Sequence, residues 1–499
     1  MKPSLLRRLS AALTRLGYRV VYYFAAAIIL VLVGVFGVRV FDAVTGPPLA
    51  PWHLFVPEEL DADAIDRASW ADWMAAETRI FADVRANVTD ALEPEFQTPE
   101  NRYYAGSPIH NAGQTKDWNR SAILMPEGAP VGAAVFIHGL TDAPYSHRHL
   151  AEHYRTRGFV AVLLRVPGHG TVPAGLTDAT WQSWAAAVRL AVREAVRLAG
   201  PGKPLHLVGY SNGGALAVDY TLSSLETEGL ARPTQVVLLS PMLGITEFAR
   251  FAGIAGWPSV FPSFLRAAWF STLPEYNPYK YNSFPVNAAV QAHALTVAMQ
   301  ARMTRLSASG ALSRLPPILT FQSIVDHTVS TQAVIRSFYE RLPPNGSELV
   351  LFDLNRAAQV GPLFRPTKDT ILDRLLPAPP RAYRTLVVTN AAPNDPTVVV
   401  RDTAAGASVE EIRPLGVTYP RDVFSLSHVA LPFPETDGLY GRRPDPADRV
   451  GIHLGALSTL GEFGVLVIGL DQFNRMTWNP FFTMMLAQID TTLPPRSAP

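Results

Sequence analysis

Cysteine is absent from the 499 residues, which excludes disulfides, thiolate metal sites, a cysteine nucleophile and a lipid-modified cysteine anchor together. Charge is sparse as well. Asp, Glu, Lys and Arg make up 17% of the chain against a usual ~25%, so either the surface is less ionic than average or part of the chain sits in lipid. The net charge is +1 and no dense Lys/Arg stripe runs through the body of the sequence, which argues against a nucleic-acid partner. Metal-ligand spacings, a phosphate-cradling glycine loop and a dinucleotide fingerprint are also missing, so no cofactor is expected. No internal repeat is evident. Lack of cysteine suits cytosol and periplasm equally and does not choose a compartment.

The first forty residues do choose. Residues 20–38 form a run of 19 without a charge, roughly enough at 1.5 Å per residue to cross ~30 Å of hydrocarbon. Lys2, Arg7, Arg8, Arg15 and Arg19 precede the run, and Arg39 and Asp42 follow it. The cationic flank 1–19 should stay in the cytoplasm and put the body of the chain on the far side, the periplasmic face if the membrane is a bacterial inner one. Tyr18, Tyr22 and Tyr23 sit where an aromatic belt would lie. A cleaved signal peptide would have an apolar region of only ~7–15 residues and a small-x-small site. Here the run is longer and leads to Gly46-Pro47-Pro48, so residues 20–40 read as a retained transmembrane anchor.

Residues 41–101 read as a Pro-rich linker followed by an amphipathic helix at 64–88, with Trp70, Trp73, Met74, Ile80, Phe81 and Val84 on one face. A stripe with two tryptophans should pack on the following domain rather than face water. From 102 to 499 apolar strand candidates alternate with helices. The strands are 121–125, 133–137, 159–164, 205–208, 236–239, 318–321 and 349–352. The helices are 147–157, 215–225 and one capped by Asp178 that stops at Gly200-Pro201-Gly202. Such alternation predicts an α/β fold, a mostly parallel sheet with helices on both faces. Two insertions break the rhythm, 244–312 and 355–420. The first holds eleven aromatics: Phe248, Phe251, Trp257, Phe261, Phe264, Trp269, Phe270, Tyr276, Tyr279, Tyr281 and Phe284.

The sharpest motif is Gly209-Tyr210-Ser211-Asn212-Gly213-Gly214, directly after the strand at 205–208. A nucleophile on a tight strand-to-helix turn needs neighbours two residues away that lack side-chain bulk, hence Gly209 and Gly213. The helix that follows points its positive end at Ser211. A serine hydroxyl also needs a base and an orienting acid, in the chain order Ser, acid, His for this arrangement. Asp326, after the strand at 318–321, is the first candidate acid, and Asp353, after 349–352, is the reserve. For the base, His428 in Ser425-Leu426-Ser427-His428-Val429 lies in a late loop; His327 and His453 compete less well on order and context. Oxyanion donors are expected from the amides of Leu140, after the strand ending in His138-Gly139, and of Asn212. His138 reads as a structural hydrogen-bonder, and Gly168-His169-Gly170 as a tight loop lining the site.

His138-Gly139-Leu140-Thr141-Asp142, Arg165-Val166-Pro167-Gly168-His169-Gly170, Gly209-Tyr210-Ser211-Asn212-Gly213 and Asp326 together resemble the motif series of α/β-hydrolases, specifically the monoglyceride-lipase and bacterial carboxylesterase branch. Ser427-His428-Val429 is similar to the loop carrying that family's catalytic histidine, and Asn479-Pro480-Phe481-Phe482 resembles the start of its last helix. The likeness covers about residues 120–355 and 423–490. It implies the α/β-hydrolase fold, a cap over the active site at 244–312, and ester hydrolysis through an acyl-enzyme with Ser211, Asp326 and His428 as triad. The sequence departs from the family in the long separation of acid and histidine, for which the insertion 355–420 must leave the sheet and return.

The aromatics of 244–312 can either roof the cavity with apolar surface suited to acyl chains or pack the cap onto the domain. The expected partners are therefore a small-molecule or lipid ester and, through the N-terminal helix, a membrane. Three readings follow: a membrane-anchored carboxylesterase or lipase, an acyltransferase using the same acyl-enzyme, and a non-catalytic scaffold with the same fold.

Overall fold

The computed structural model describes residues 5–495 apart from 111–115, 245–258, 260–261, 327, 359–370, 422, 449 and 457–477. The strands, in chain order, are β1 Ala122–Leu124, β2 Gly132–Ile137, β3 Phe159–Leu164, β4 Leu205–Tyr210, β5 Gln235–Leu239, β6 Trp269–Ser271, β7 Phe284–Pro285, β8 Ile318–Ser323, β9 Glu348–Phe352, β10 Arg384–Asn390, β11 Thr397–Thr403 and β12 Glu411–Thr418. Ten of them form one sheet in the order β1-β3-β2-β4-β5-β8-β9-β10-β11-β12. The run from β3 to β10 is parallel, while β1, β11 and β12 are antiparallel additions at its two edges.

The central strands carry near-continuous Val, Leu, Ile and Ala because both faces are covered, as parallel sheets require. Successive residues serve opposite cores. Val135 and Ile137 of β2 join Leu205, Leu207, Val236 and Leu238 beneath the helices Trp181–Ala199, Asn212–Glu226 and Val286–Ala308. Ala134 and Phe136 join Val208, Val237 and Phe321 against the helices Arg148–Thr156 and Phe482–Asp490. Truncating a ring as buried as Phe136 costs about 3–5 kcal/mol, so this two-sided filling fixes the sheet on which the site stands.

The N-terminal helix Leu5–Thr45 contains a stretch, Leu16–Thr45, that is long and apolar enough to cross a membrane; an 18-residue window within it has mean hydropathy 2.6 and no buried residue. The helix expected at 64–88 is split in two. Asp61 caps Ala62–Arg67, and Ser69 with Asp72 forms a capping box that starts Trp70–Val84 afresh, because a serine hydroxyl bonding the Asp72 amide competes with continued helix. The second helix packs on the domain through Trp73, which is 1% exposed and whose indole donates to Ser121 Oγ at 3.0 Å. Beside it lies a buried ion group. Arg165 Nε donates to Glu77 Oε1 at 3.1 Å and its NH1 to Glu59 Oε1 at 2.6 Å. Burial pushes the Glu77 carboxyl up, against the pull of the Arg165 charge. The helix Trp181–Ala199 is capped by Thr180 rather than by Asp178, which lies on the preceding turn.

Within the insertion 355–420, the segment 384–418 does not leave the sheet. It continues it: β10 pairs with β9 in parallel, from Arg384↔Glu348 to Val388↔Phe352, and β11 and β12 follow as antiparallel neighbours. Leu386, Val388, Val398 and Val400 extend the core beneath the helix Phe482–Asp490. The signal was present in two β-branched runs, Thr385-Leu386-Val387-Val388-Thr389 and Thr397-Val398-Val399-Val400, separated by a Pro/Asn/Asp turn of the kind that joins a hairpin. Of the insertion 244–312, the described parts are chiefly the hairpin β6–β7 and the helix Val286–Ala308. Phe248, Phe251, Trp257 and Phe261 lie outside the described residues.

Candidate active site

The turn between β4 and the helix Asn212–Glu226 puts Ser211 in a conformation that L-residues rarely take, with φ 54° and ψ −117°. Backbone bonds hold it there: Ser211 N–H donates to Leu239 O at 3.0 Å, and Ser211 O accepts from Met242 N at 2.9 Å, Gly214 N at 3.0 Å and Ala215 N at 3.4 Å. The flanking glycines are forced by close approach. A methyl on Gly209 would lie 2.5 Å from Gly213 O, and one on Gly213 would lie 1.9 Å from Ile137 O. The turn thus presses against the end of β2 and leaves Ser211 lining a cavity of about 500 Å³.

His428 lines the same cavity. Its Nδ1 stands 2.8 Å from Asp326 Oδ2, and the Asp326 side chain is wholly shielded from solvent behind it. Asp326 Oδ1 accepts from the amides of Thr328 at 2.8 Å and Val329 at 3.0 Å, and Gln322 Nε2 donates to Oδ2 at 3.3 Å. Burial pushes the carboxyl up, but the charge and hydrogen bond of His428 and the two amides outweigh it and hold Asp326 below the usual carboxylate range. On its other side the histidine is braced by Tyr210, whose hydroxyl donates to His428 O at 3.3 Å and whose ring centroid lies 5.1 Å from the imidazole.

Asp353, the reserve acid, is engaged elsewhere: it accepts from Leu354 N at 2.8 Å, Thr389 Oγ1 at 2.8 Å and Arg356 NH2 at 3.2 Å. His453 donates from Nε2 to Gly441 O, and His327 lies outside the described residues.

The loop after β2 abuts the Ser211 turn. A methyl on Gly139 would lie 3.1 Å from Ser211 Cβ. Leu140 lines the cavity and Asn212 opens the helix, and neither amide donates to another group among the described residues. The loop is held from below by His138. Its Nδ1 lies 2.9 Å from Gly139 O and its Nε2 accepts from Val166 N at 3.0 Å, so the bonding assigns the Nδ1–H tautomer. Burial, with His169 alongside, holds His138 well below the ordinary imidazole range. Gly168-His169-Gly170 is not among the lining residues. It lies behind the wall, where Gly168 O accepts from Tyr281 OH at 3.1 Å and Gly168 N donates to Glu59 at 2.8 Å.

Several lining residues escaped the sequence reading. Of the seven aromatics of this insertion that lie among the described residues, Tyr276, Tyr281 and Phe284 line the cavity. Tyr279 stacks on Tyr145 at 3.9 Å, and Trp269 packs edge-on against His53 at 4.8 Å. The wall is completed by polar Thr141, Asn277, Lys280 and Asn282, and by Tyr440 from the late loops. Lys280 Nζ donates to Thr141 Oγ1 at 3.1 Å and Tyr281 N to Thr141 O at 2.7 Å, which ties the β6–β7 region to the loop after β2. No spacing of single residues announces these contacts; the one available signal was the density of polar side chains between Tyr276 and Asn282.

His149, Asp437 and Asp448 bring three ligand-type atoms within 4.8 Å of one another. The Arg148 guanidinium already bridges both carboxylates, at 2.6 Å to Asp437 Oδ2 and in contact with Asp448, so a cation there would meet a positive charge.

Residues 128–356 match the model of the family described as Serine aminopeptidase, S33. A thermostable monoacylglycerol lipase of Bacillus sp. (strain H-257) is 40% identical over 62 residues, 12% of this chain and 24% of that protein. The chain therefore spans about a quarter of the length of this curated relative. Among solved structures, one reported with two metagenome-derived lipolytic enzymes is 23% identical, covers 52% of this chain and 97% of its own, and has a TM-score of 0.39. The monoacylglycerol lipase of Paleococcus ferrophilus is 17% identical, covers 51% of this chain and 97% of its own, and has a TM-score of 0.34.

Proposed function

We propose that the chain is a membrane-anchored serine hydrolase of the α/β-hydrolase type cleaving carboxylic esters, acylglycerols among them, through an acyl-enzyme; the mostly parallel sheet and the family match over residues 128–356 support the reading. The observation that carries the reading is the 2.8 Å bond between His428 Nδ1 and Asp326 Oδ2, with His428 and Ser211 lining one cavity.

The carboxylate of Asp326 holds the Nδ1–H tautomer, so Nε2 is the basic nitrogen. Nε2 takes the Ser211 proton as Oγ attacks the ester carbonyl, and the oxyanion is met by the amides of Leu140 and Asn212. Each such donor is worth about 3–4 kcal/mol in the transition state. The imidazolium returns its proton to the leaving alcohol, which leaves Ser211 acylated. A water, deprotonated by the same nitrogen, then releases the acid and restores the serine hydroxyl.

Anchoring is supported by the exposed apolar stretch Leu16–Thr45 and the basic residues before it, an arrangement that keeps the N-terminus cytoplasmic and the catalytic domain on the opposite face. A fluorophosphonate probe on the full chain in detergent is the direct test. Labelling of the parent and not of Ser211→Ala is expected, and an unlabelled parent sinks the hydrolase reading.

A further inference from the structure

Beyond the catalytic cavity, the foot of the N-terminal helix is wired to the hairpin that forms one of the cavity's walls. Arg39 NH2 donates to Ala267 O at 3.0 Å and also bonds Trp269 O. Arg266 lies 4.0 Å from Asp42 and donates to Pro47 O at 2.7 Å. The linker adds a second hold: His53 Nε2 lies 2.9 Å from Ser283 Oγ, and its ring packs on Trp269. The helix end and the hairpin β6–β7 therefore move as one piece.

This fixes the hairpin's height. Arg39 is the first charge after the apolar run, so in a bilayer it sits at the interface. Phe270 lies against its guanidinium, 5.9 Å from ring centroid to Cζ. Phe270 is 42% exposed and Leu265, on the turn before it, is 46% exposed. Val38, Phe41 and Val44 of the helix foot are likewise exposed apolar side chains. Phe270 also stacks on Phe284 at 6.2 Å, and Phe284 and Ser271 line the cavity that holds Ser211. One wall of the cavity is thus continuous with a surface held at the membrane interface.

We propose that the β6–β7 hairpin, through Phe270 and Phe284, is a bilayer-facing port by which an ester whose acyl chain remains in the lipid reaches Ser211. The occupant of the exposed Leu265–Phe270 surface is the bilayer itself, because the same hairpin is bonded to the end of the apolar helix. The inference rests on the hydrolase and anchor readings above and deepens them: substrate arrives sideways from the membrane, with its polar head left among Asn277, Lys280 and Asn282.

The chain has no cysteine, so a single nitroxide label can be placed without other changes. In full-length protein reconstituted in phosphatidylcholine vesicles, a label on Phe270→Cys is expected to be relaxed by oxygen and shielded from a water-soluble nickel chelate. A label on Glu127→Cys, at a side chain 97% exposed, should show the reverse. A label at position 270 as open to nickel as one at 127 overturns the proposal. For transport through the port, Phe270→Asp should lower turnover of a long-chain monoacylglycerol held in the vesicles at least tenfold and leave p-nitrophenyl acetate within twofold. Equal loss on both substrates, or loss on neither, overturns it. Should the parent hydrolyse neither ester while the label at 270 lies in lipid, the hydrolase reading falls and the membrane contact stands.

Discussion

The side-chain amide of Asn355 donates to the carbonyl of Pro420 at 2.8 Å. The two ends of the segment 355–420 therefore meet, although three strands lie between them. The same amide donates to Val423 O at 2.8 Å, and Asn355 N donates to Phe424 O at 2.8 Å. This clasp brings the chain back to the end of β9 just before His428, which is how a histidine 102 residues beyond Asp326 still bonds it. Asn355→Ala removes these two side-chain bonds and leaves the Pro420 and Val423 carbonyls without that donor, while the backbone bond to Phe424 stays, a cost of about 2–3 kcal/mol. We expect lower thermal stability and a fall in kcat larger than any change in KM, measured on a soluble ester.

The two acids near the site are separable. Asp326→Asn offers His428 an amide in place of a carboxylate and should lower kcat by ~10⁴ through the wrong imidazole tautomer, with little change in melting temperature. Asp353→Asn should do the opposite, lowering stability through Thr389 and Arg356 while kcat stays within a few-fold. An unimpaired Asp326→Asn enzyme would exclude the assigned acid.

Gly213→Ala tests the turn rather than the chemistry. Its methyl would lie 1.9 Å from Ile137 O, a backbone atom with no freedom to retreat inside β2. A loss of about 3 kcal/mol in stability is expected, together with loss of fluorophosphonate labelling as Ser211 is displaced. A variant that labels at the parent rate would show that the turn is looser than described.

The buried Glu77–Arg165 pair, both side chains 0% exposed, joins the N-terminal helices to the domain. Glu77→Ala strands part of a buried guanidinium and should cost about 3 kcal/mol, whereas Glu77→Ala with Arg165→Met should recover much of it. Urea denaturation of the three proteins decides between a pair that must stay whole and one that contributes nothing.

Acid should weaken the fold before it protonates most carboxylates. Burial lowers His53, His147 and His169 to about 4 and His206 to about 3. In the unfolded chain these imidazoles take up protons near their ordinary value of about 6.5, but in the folded one not until about 4 or below. The unfolded state therefore binds more protons across that window, and stability falls as pH falls through it. Asp326 adds to the loss lower down, because a depressed carboxylate contributes stability above its ordinary range and loses it as pH falls. The urea midpoint is expected to drop steadily from pH 7 to pH 4.5; a flat profile would contradict neutral buried histidines.

Local sequence was sufficient wherever the physics is local. The Ser211 turn was readable because Gly209 and Gly213 are demanded by contacts within five residues of chain and one adjacent strand. The parallel core was readable because strands covered on both faces must be apolar throughout. Composition and one uncharged run marked the N-terminal helix, since crossing hydrocarbon depends on length and hydropathy alone. Tertiary structure decided what depends on distant partners. Ser69 broke a helix that periodicity would have continued, and β10–β12 joined the sheet because β9 offered an unpaired edge. Asp326 rather than Asp353 met His428 because Asn355 returned the chain to that place. Lys280, Tyr440 and Phe284 came to the cavity from separate segments. Hydrogen bonds and packing between residues far apart in the chain leave no periodic trace in it, so only the folded arrangement could choose among them.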